Sequence, residues 1–210
     1  SLDLKWNSAA SKKVVCELLD PAGQHVLREE VAADGLSGHF EAEVSEVQLW
    51  SAEHPLLYQL VLSVYDAAGH LQEVIPQAVG FREFRLDGNI MKLNGKRIVF
   101  KGTNRHEFDC YRGRAMDPAS FEQDILTMKR HNINALRCSH YPNSSYIYAL
   151  CDRYGLYVID ETNLETHGTW QKNGVLARDE NTLPNDHDEW QEIILDRAKS
   201  MLERDKNHAS

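Results

Sequence analysis

The stretch that decides the fold runs over residues 133–161 and reads INALRCSHYPNSSYIYALCDRYGLYVIDE. Its apolar start, residues 133–137, predicts a short buried strand. Residues 146–154 predict a helix, and Gly155 ends it because glycine readily adopts the left-handed conformation that follows a helix. Residues 156–161 predict a second strand. This order indicates two parallel strands that are joined by a crossover helix.

The same pattern continues on both sides of this stretch. Residues 98–102 predict an earlier strand, and Asp117-Pro118 opens a helix because proline is favoured in a first turn. One face of that helix carries Phe121, Ile125 and Met128. Residues 188–203 predict a third, amphipathic helix. Three strand–helix units fit an open doubly wound sheet or the beginning of an eight-stranded barrel, and they are too few to close a barrel.

The first part of the chain has a different pattern. Residues 14–19, 39–44 and 57–65 predict strands, and the segments at 20–23 and 66–69, which both end in glycine, predict turns. Short strands at this spacing favour a β-sandwich. Because no cluster of titratable residues stands out in this part, we expect it to be a scaffold.

The composition limits the partners. With 42% hydrophobic and 26% charged residues, the chain is typical of a globular protein. Its net charge of −9 argues against nucleic acid or an anionic membrane as a partner and is compatible with a neutral sugar. An apolar run of about eighteen residues, which a membrane span requires, does not occur.

The cysteines indicate a reducing compartment. The four of them, Cys16, Cys110, Cys138 and Cys151, are far apart and form no CxxC pair. Disulfide frameworks and zinc knuckles use closer or repeated spacing. We therefore expect buried free thiols and a cytoplasmic protein.

Polar residues cluster after each predicted strand of the second part. The clusters lie at residues 103–107, 137–142 and 160–168. The carboxyl ends of parallel strands are where α/β folds place their active sites. Three such clusters in succession therefore predict a functional site at this rim, beside which lie the aromatic residues Phe108, Tyr111, Tyr141 and Trp170.

The residue types at the rim allow several kinds of chemistry. Glu165 and His167 are two apart, so in an extended segment they face the same side and can hold a divalent cation; a simple Glu–His hydrogen bond is the alternative. His106 and His140 can donate hydrogen bonds to hydroxyl groups. Ser139 lies in no nucleophile-elbow pattern, which argues against a serine hydrolase.

At these residues the sequence resembles glycoside hydrolase family 2, in particular its bacterial β-galactosidases. Residues 134–142 and 151–159 are similar to the family signature, and residues 50–58 and 105–107 are similar to other family segments. The resemblance implies an immunoglobulin-like β-sandwich over residues 1–88. Over residues 89–210 it implies the first three βα units of an incomplete (β/α)8 TIM barrel.

The resemblance also implies site residues and ligands. His106 and His140 would contact the galactose hydroxyls and stabilise the transition state, while Arg137 would steady the nucleophilic carboxylate. Glu165 and His167 would bind Mg²⁺, and a monovalent cation is left open. The parent enzyme would be a homo-oligomeric retaining exo-β-galactosidase that acts on terminal β-galactosides such as lactose.

By the same resemblance, both catalytic carboxylates lie beyond Ser210, so this chain would be an internal fragment that is inactive alone. Three alternatives remain. One is another family 2 glycosidase such as a β-glucuronidase, and another is a non-catalytic carbohydrate-binding or subunit protein. The third, a metal-dependent barrel hydrolase, needs more His and Asp ligands than the rim offers.

Overall fold

The computed structural model describes residues 2–6, 12–33, 36–176, 179–185 and 187–210. These residues form two compact units, Ser1–Ile98 with Ala209 and Val99–His208 with Ser210. The domain boundaries expected from the resemblance, 1–88 and 89–210, stay a prediction. No helix in the described ranges is long and apolar enough to cross a membrane.

The first unit consists of antiparallel strands. A four-stranded sheet has the order β3-β2-β5-β6 and contains β2 (Lys12–Leu19), β3 (His25–Ala33), β5 (Tyr58–Tyr65) and β6 (Leu71–Val79). A two-stranded sheet pairs β1 (Leu2–Lys5) with β4 (Ser37–Phe40). A three-stranded sheet contains β7 (Phe84–Asp87), β8 (Ile90–Leu93) and β9 (Lys96–Arg97).

The core of the first unit lies between two layers of strands. Alternate residues of β2 and β5 point to one face, and Val14, Cys16, Leu62 and Val64 are buried there. Apolar side chains from the β1 and β4 segments pack against them, namely Leu2, Leu4, Trp6 and Phe40. Two apolar faces pressed together are the arrangement of a β-sandwich, as the sequence predicts.

One predicted strand of this unit is partly wrong. Residues 39–44 were expected to be extended and paired, but β4 ends at Phe40 and residues 41–44 lie outside the strands. Phe40 pairs with Leu2, which is the first residue of β1. The alternation of polar and apolar residues therefore extends past Phe40, the last residue of β4 that pairs with β1.

The second unit is built on a parallel sheet in the order β10-β11-β12. Its strands are β10 (Gly102–Arg105), β11 (Ala135–Cys138) and β12 (Tyr157–Ile159). Its helices are α1 (Pro118–Arg130), α2 (Ser145–Tyr154), the short α3 (His167–Trp170) and α4 (Glu189–Asp205). A small hairpin pairs β13 (Gln171–Lys172) with β14 (Val175–Leu176).

The start of α1 and the end of α2 lie where their capping residues predict. The Asp117 side chain accepts a hydrogen bond from the Ser120 N–H at the start of α1, with Pro118 in the first turn. Gly155 ends α2 with φ of 74°, a left-handed conformation. Both helices pack on β11 through a core that includes Ile125 and Leu136.

The first strand of the parallel sheet lies further along the chain than its apolar residues predict. Residues 98–101 are not in a strand, and β10 begins at Gly102. The Asn134 side chain occupies the place of a neighbouring strand there. Its Oδ1 accepts from the Lys101 N–H at 2.7 Å, and its Nδ2 donates to the Val99 carbonyl at 3.0 Å. The regular ladder therefore starts where Gly102 pairs with Ala135.

All four cysteines are free, as expected, but the expectation that all are buried is wrong for one of them. Cys16, Cys138 and Cys151 are buried, whereas Cys110 is exposed. Cys110 lies in the loop after β10, which is closed by paired backbone hydrogen bonds between Asp109 and Gly113. The loop turns its side chains outward, and Tyr111 is 94% exposed.

Candidate functional site

The three parallel strands end side by side. Arg105 of β10 pairs with Cys138 of β11, and Arg137 pairs with Ile159 of β12. The residues that follow each strand therefore emerge at one edge of the sheet, which we call the rim: His106 after β10, His140 after β11 and Glu161 after β12. The sequence prediction of a shared rim rests on this parallel pairing, which the structure contains.

Glu161 holds two of the predicted site residues together. Its Oε2 lies 2.5 Å from Arg137 Nε, and its Oε1 lies 2.9 Å from His140 Nδ1. Arg137 Nη2 is also 3.2 Å from His140 Nδ1. We call Arg137, His140 and Glu161 the Glu161 cluster. Its side chains are 23–37% exposed, so the cluster is accessible while its charges are partly shielded from water.

His106 lies next to this cluster on the β10 side. Its ring packs edge-to-face against the His140 ring, with centroids 5.3 Å apart. Its Nδ1 is 3.4 Å from the Tyr141 hydroxyl, which accepts a hydrogen bond from the Glu107 N–H at 3.1 Å. The two predicted sugar-contacting histidines are therefore neighbours in space although they lie 34 residues apart.

The predicted metal pair, Glu165 and His167, lies in the loop after β12. Glu165 Oε2 is 2.8 Å from His167 Nδ1, so the two side chains hydrogen-bond to each other. Both are half exposed, and the His167 ring packs on Trp170 with centroids 4.5 Å apart. Glu165 Oε1 also lies 3.9 Å from His140 Nδ1, which places the loop beside the Glu161 cluster.

Two sets of side chains at the rim can be compared as metal ligands. His140, Glu161 and Glu165 have ligand atoms within 4.8 Å of one another, but the Arg137 guanidinium already binds Glu161 and opposes a cation there. Among the described residues, no lysine or arginine forms an ion pair with Glu165 or His167. Mg²⁺ usually binds one or two carboxylates and keeps several waters, so an exposed carboxylate such as Glu165 fits a hydrated magnesium ion.

Beneath the rim lie the partly buried Asp160 and the buried Tyr148 and Cys138. The Tyr148 hydroxyl donates to Asp160 Oδ1 at 2.7 Å. Burial raises the pKa of Asp160, and the neighbouring Asp205 carboxyl raises it further. Burial likewise raises the pKa of the Cys138 thiol to about 12. These groups support the strand ends, and Tyr148 and Cys138 are buried away from the surface.

Sequence reasoning missed the role of Glu161. The sequence places Glu161 in the polar cluster at residues 160–168 but gives it no role of its own, because a contact between side chains from different strands has no signature in the spacing of one chain. Its position directly after β12, beside Asp160, was the available signal. Asn104 was also missed; its Oδ1 lies 3.4 Å from Arg137 Nη1.

Comparison with known proteins identifies related chains. The family described as "Glycosyl hydrolases family 2, TIM barrel domain" matches residues 84–210, and "Glycosyl hydrolases family 2" matches residues 2–82. A protein from Halalkalibacterium halodurans named beta-galactosidase is 52% identical over 100% of this chain. One of the same name from Lactobacillus delbrueckii subsp. bulgaricus is 58% identical over 78% of the chain. This chain spans 21% and 16% of their lengths.

A similar solved structure is the apo b-glucuronidase from Ruminococcus gnavus. It has a TM-score of 0.77 and 27% sequence identity, and the match covers 94% of this chain and 32% of that one.

Proposed function

The chain belongs to glycosyl hydrolase family 2, and on that premise we propose that it is part of a longer retaining β-galactosidase that removes terminal β-galactosyl residues. The observation that carries the proposal is the meeting of His106, His140 and Arg137 at one rim of a parallel sheet. The 52% identity to a protein named beta-galactosidase supports galactose as the sugar.

Each of these residues has a proposed role. The imidazoles of His106 and His140 hydrogen-bond the hydroxyls of the galactosyl group and strengthen those bonds in the transition state. Arg137 holds the carboxylate that attacks the anomeric carbon. A retaining glycosidase needs two carboxyls about 5 Å apart, one as acid and then base and the other as nucleophile.

The carboxylates described at the rim do not suit these two catalytic roles. Glu161 and Glu165 are close enough, with ligand atoms within 4.8 Å, but Glu161 binds Arg137 and His140 through its two oxygens. Asp160 is partly buried, and its Oδ1 accepts hydrogen bonds from the Tyr148 hydroxyl and the Glu161 N–H. We therefore propose that both catalytic carboxylates come from outside residues 1–210. The purified chain should hydrolyse a chromogenic aryl β-galactoside no faster than buffer does, and robust turnover would show that the carboxylates are misassigned.

We propose that Glu165 and His167 hold the Mg²⁺ of the parent enzyme. When bound, the ion supplies fixed positive charge and a site for ordered water beside the sugar pocket. One carboxylate and one nitrogen are few ligands for an ion that prefers six oxygens, so binding to this chain should be weak. Calorimetric titration that gave micromolar affinity for Mg²⁺ would contradict this. A monovalent cation and a homo-oligomeric parent rest on the family resemblance alone, and a cytoplasmic location rests on the free cysteines.

A graft into a relative tests the activity directly. Residues 1–210 replace the aligned segment of the Halalkalibacterium halodurans protein, since the alignment covers the whole chain. We expect the chimaera to hydrolyse an aryl β-galactoside, and His140→Ala or Arg137→Ala in the graft to lower kcat/KM at least 100-fold. Glu43→Ala in the first unit serves as the control and should leave kcat/KM unchanged. A folded chimaera without activity would count against the proposal.

A β-glucuronidase is the second candidate, and the structural similarity to the Ruminococcus gnavus enzyme favours it. A glucuronide carries a carboxylate that needs a cationic partner, whereas the rim presents Glu161 and Glu165, and its one arginine in the cluster is bound to Glu161. The same graft distinguishes the two sugars. A higher kcat/KM on an aryl β-glucuronide than on the matching β-galactoside would replace the first proposal with the second.

A further inference from the structure

The hydrogen bonds around the two rim histidines differ in a way that has a chemical consequence. A neutral imidazole has one nitrogen that donates and one that accepts, and the partner of either nitrogen decides which is which. His140 Nδ1 faces the Glu161 carboxylate, whereas His106 Nδ1 faces the Tyr141 hydroxyl. We propose that His106 and His140 are held in opposite tautomers, with Glu161 as the positioning residue that fixes His140 as the Nδ1–H form.

The argument for His140 rests on what each neighbour can do. Glu161 Oε1, 2.9 Å from Nδ1, is an acceptor and needs a hydrogen from the ring. Arg137 Nη2, 3.2 Å from the same nitrogen, is a donor and would need a lone pair there. In a neutral ring, Nδ1 carries either a hydrogen or a lone pair, so it can satisfy only one of these two neighbours. A bare nitrogen 2.9 Å from the carboxylate would set two lone pairs against each other, while the guanidinium has other hydrogens and already binds Glu161 Oε2 through Nε.

The argument for His106 runs through Tyr141. The Tyr141 oxygen accepts the Glu107 N–H, so its own hydrogen is available to donate. His106 Nδ1, 3.4 Å away, is the acceptor within reach. The proton of the neutral His106 ring is then on Nε2.

The two rings therefore offer different groups to a ligand. Among the described residues, the hydrogen bonds of both rings involve Nδ1, which leaves Nε2 for a ligand in each case. His140 presents an Nε2 lone pair, and His106 presents an Nε2–H group. The ring centroids are 5.3 Å apart, a separation that suits two neighbouring hydroxyls of one sugar ring, one donating to His140 and one accepting from His106. The sugar in this step rests on the proposed function.

Nitrogen NMR of the unmodified chain tests the tautomers without any substrate. The chain is labelled with ¹⁵N-histidine and its spectra are recorded in metal-free buffer about two pH units above 6.5, where an ordinary imidazole is neutral. His140→Gln and His106→Gln assign the two rings. We expect the protonated nitrogen to be Nδ1 in His140 and Nε2 in His106. A His140 ring whose proton is on Nε2 would overturn the proposal.

Two alanine variants test the role of Glu161. In Glu161→Ala, most His140 rings should shift to the Nε2–H form, which free histidine prefers, while His106 stays unchanged. Glu165→Ala is the matched control, because Glu165 is a rim glutamate 3.9 Å from His140 Nδ1, too far for a hydrogen bond, and it should leave both rings unchanged. An unchanged His140 in Glu161→Ala would overturn the assignment of Glu161. If that variant does not fold, the spectra of the unmodified chain still decide which nitrogen of each ring carries the proton. Because the graft assay measures turnover and this measurement does not, either proposal can fail alone.

Discussion

His208 and Asp152 form a partly buried pair in the second unit, with Nδ1 2.6 Å from Oδ2. The hydrogen bond to Asp152 raises the pKa of His208 against the opposing effect of burial. A raised pKa means that the folded state binds the proton more tightly than the unfolded state does. The resulting stabilisation is complete below the unfolded pKa of about 6.5 and disappears as the pH rises through the folded pKa.

The first prediction follows from this pair. His208→Gln should lower the free energy of unfolding more at about pH 5.5 than at about pH 9, because only the protonated ring gains the extra binding. Urea denaturation at the two pH values measures the difference. In an Asp152→Asn background the same substitution should show no such dependence on pH. Equal losses at both pH values in the otherwise unmodified chain would contradict the assignment.

The cysteines give a second prediction at the scale of single residues. Burial raises the pKa of Cys16, Cys138 and Cys151, and thiol reagents attack the thiolate. Cys110 alone is exposed. In the native chain, only Cys110 should therefore react rapidly with a thiol reagent such as dithiobis(nitrobenzoate). The other three cysteines should react only in denaturant. Cys110→Ser should abolish the rapid phase, and a rapid phase that survived this substitution would contradict the burial of the others.

At the scale of elements, capping residues made the helices predictable and apolar runs misplaced a strand. Asp117-Pro118 and Gly155 act on their own neighbours, so their effect is visible in the sequence. The run at residues 98–102 was misleading because the strand ladder depends on a partner. Asn134, 33 residues after Lys101, occupies the backbone groups that such a strand would pair.

The third prediction concerns the contact between the first two parallel strands. A Cβ atom at Gly102 would lie 2.9 Å from the Ala135 carbonyl oxygen and 3.1 Å from Ala135 Cβ. The Ala135 backbone cannot move aside as a flexible side chain could. Gly102→Ala should therefore destabilise the second unit by about 1–3 kcal/mol. Gly168→Ala is the control, because a Cβ there meets nothing within 4 Å. Thermal and urea unfolding measure the stability of both variants. Equal stability of Gly102→Ala and Gly168→Ala would contradict the prediction.

At the scale of the whole molecule, the sequence predicted the rim but not the contacts within it. Parallel strands bring their carboxyl ends to one edge whatever the side chains are, so His106, Arg137, His140 and Glu165 could be placed together from topology alone. The Glu161 cluster depends on which atoms of Arg137, His140 and Glu161 come within hydrogen-bond distance. That is decided by strand register and side-chain rotamers, which hydrophobic periodicity does not encode.

Helix α4 leaves apolar side chains exposed, which leads to the last prediction. Leu195 and Leu202, seven residues apart on one side of the helix, are 60% and 58% exposed. Exposed apolar surface of this kind favours association, as does the outer edge of β10, which pairs with no second strand among the described residues. The chain should therefore show concentration-dependent self-association in sedimentation velocity experiments.

Paired substitutions separate the apolar contribution from that of charge. Leu195→Lys with Leu202→Lys should raise the monomer fraction, because both changes place a charge where apolar contact is expected. Asp196→Asn with Ser200→Lys raises the net charge by the same two units at exposed positions away from the side that carries Leu195 and Leu202, and it should leave the monomer fraction unchanged. If both pairs raised the monomer fraction equally, net charge rather than the apolar face of α4 would explain the effect. An unmodified chain that stayed monomeric at every concentration would refute the association itself.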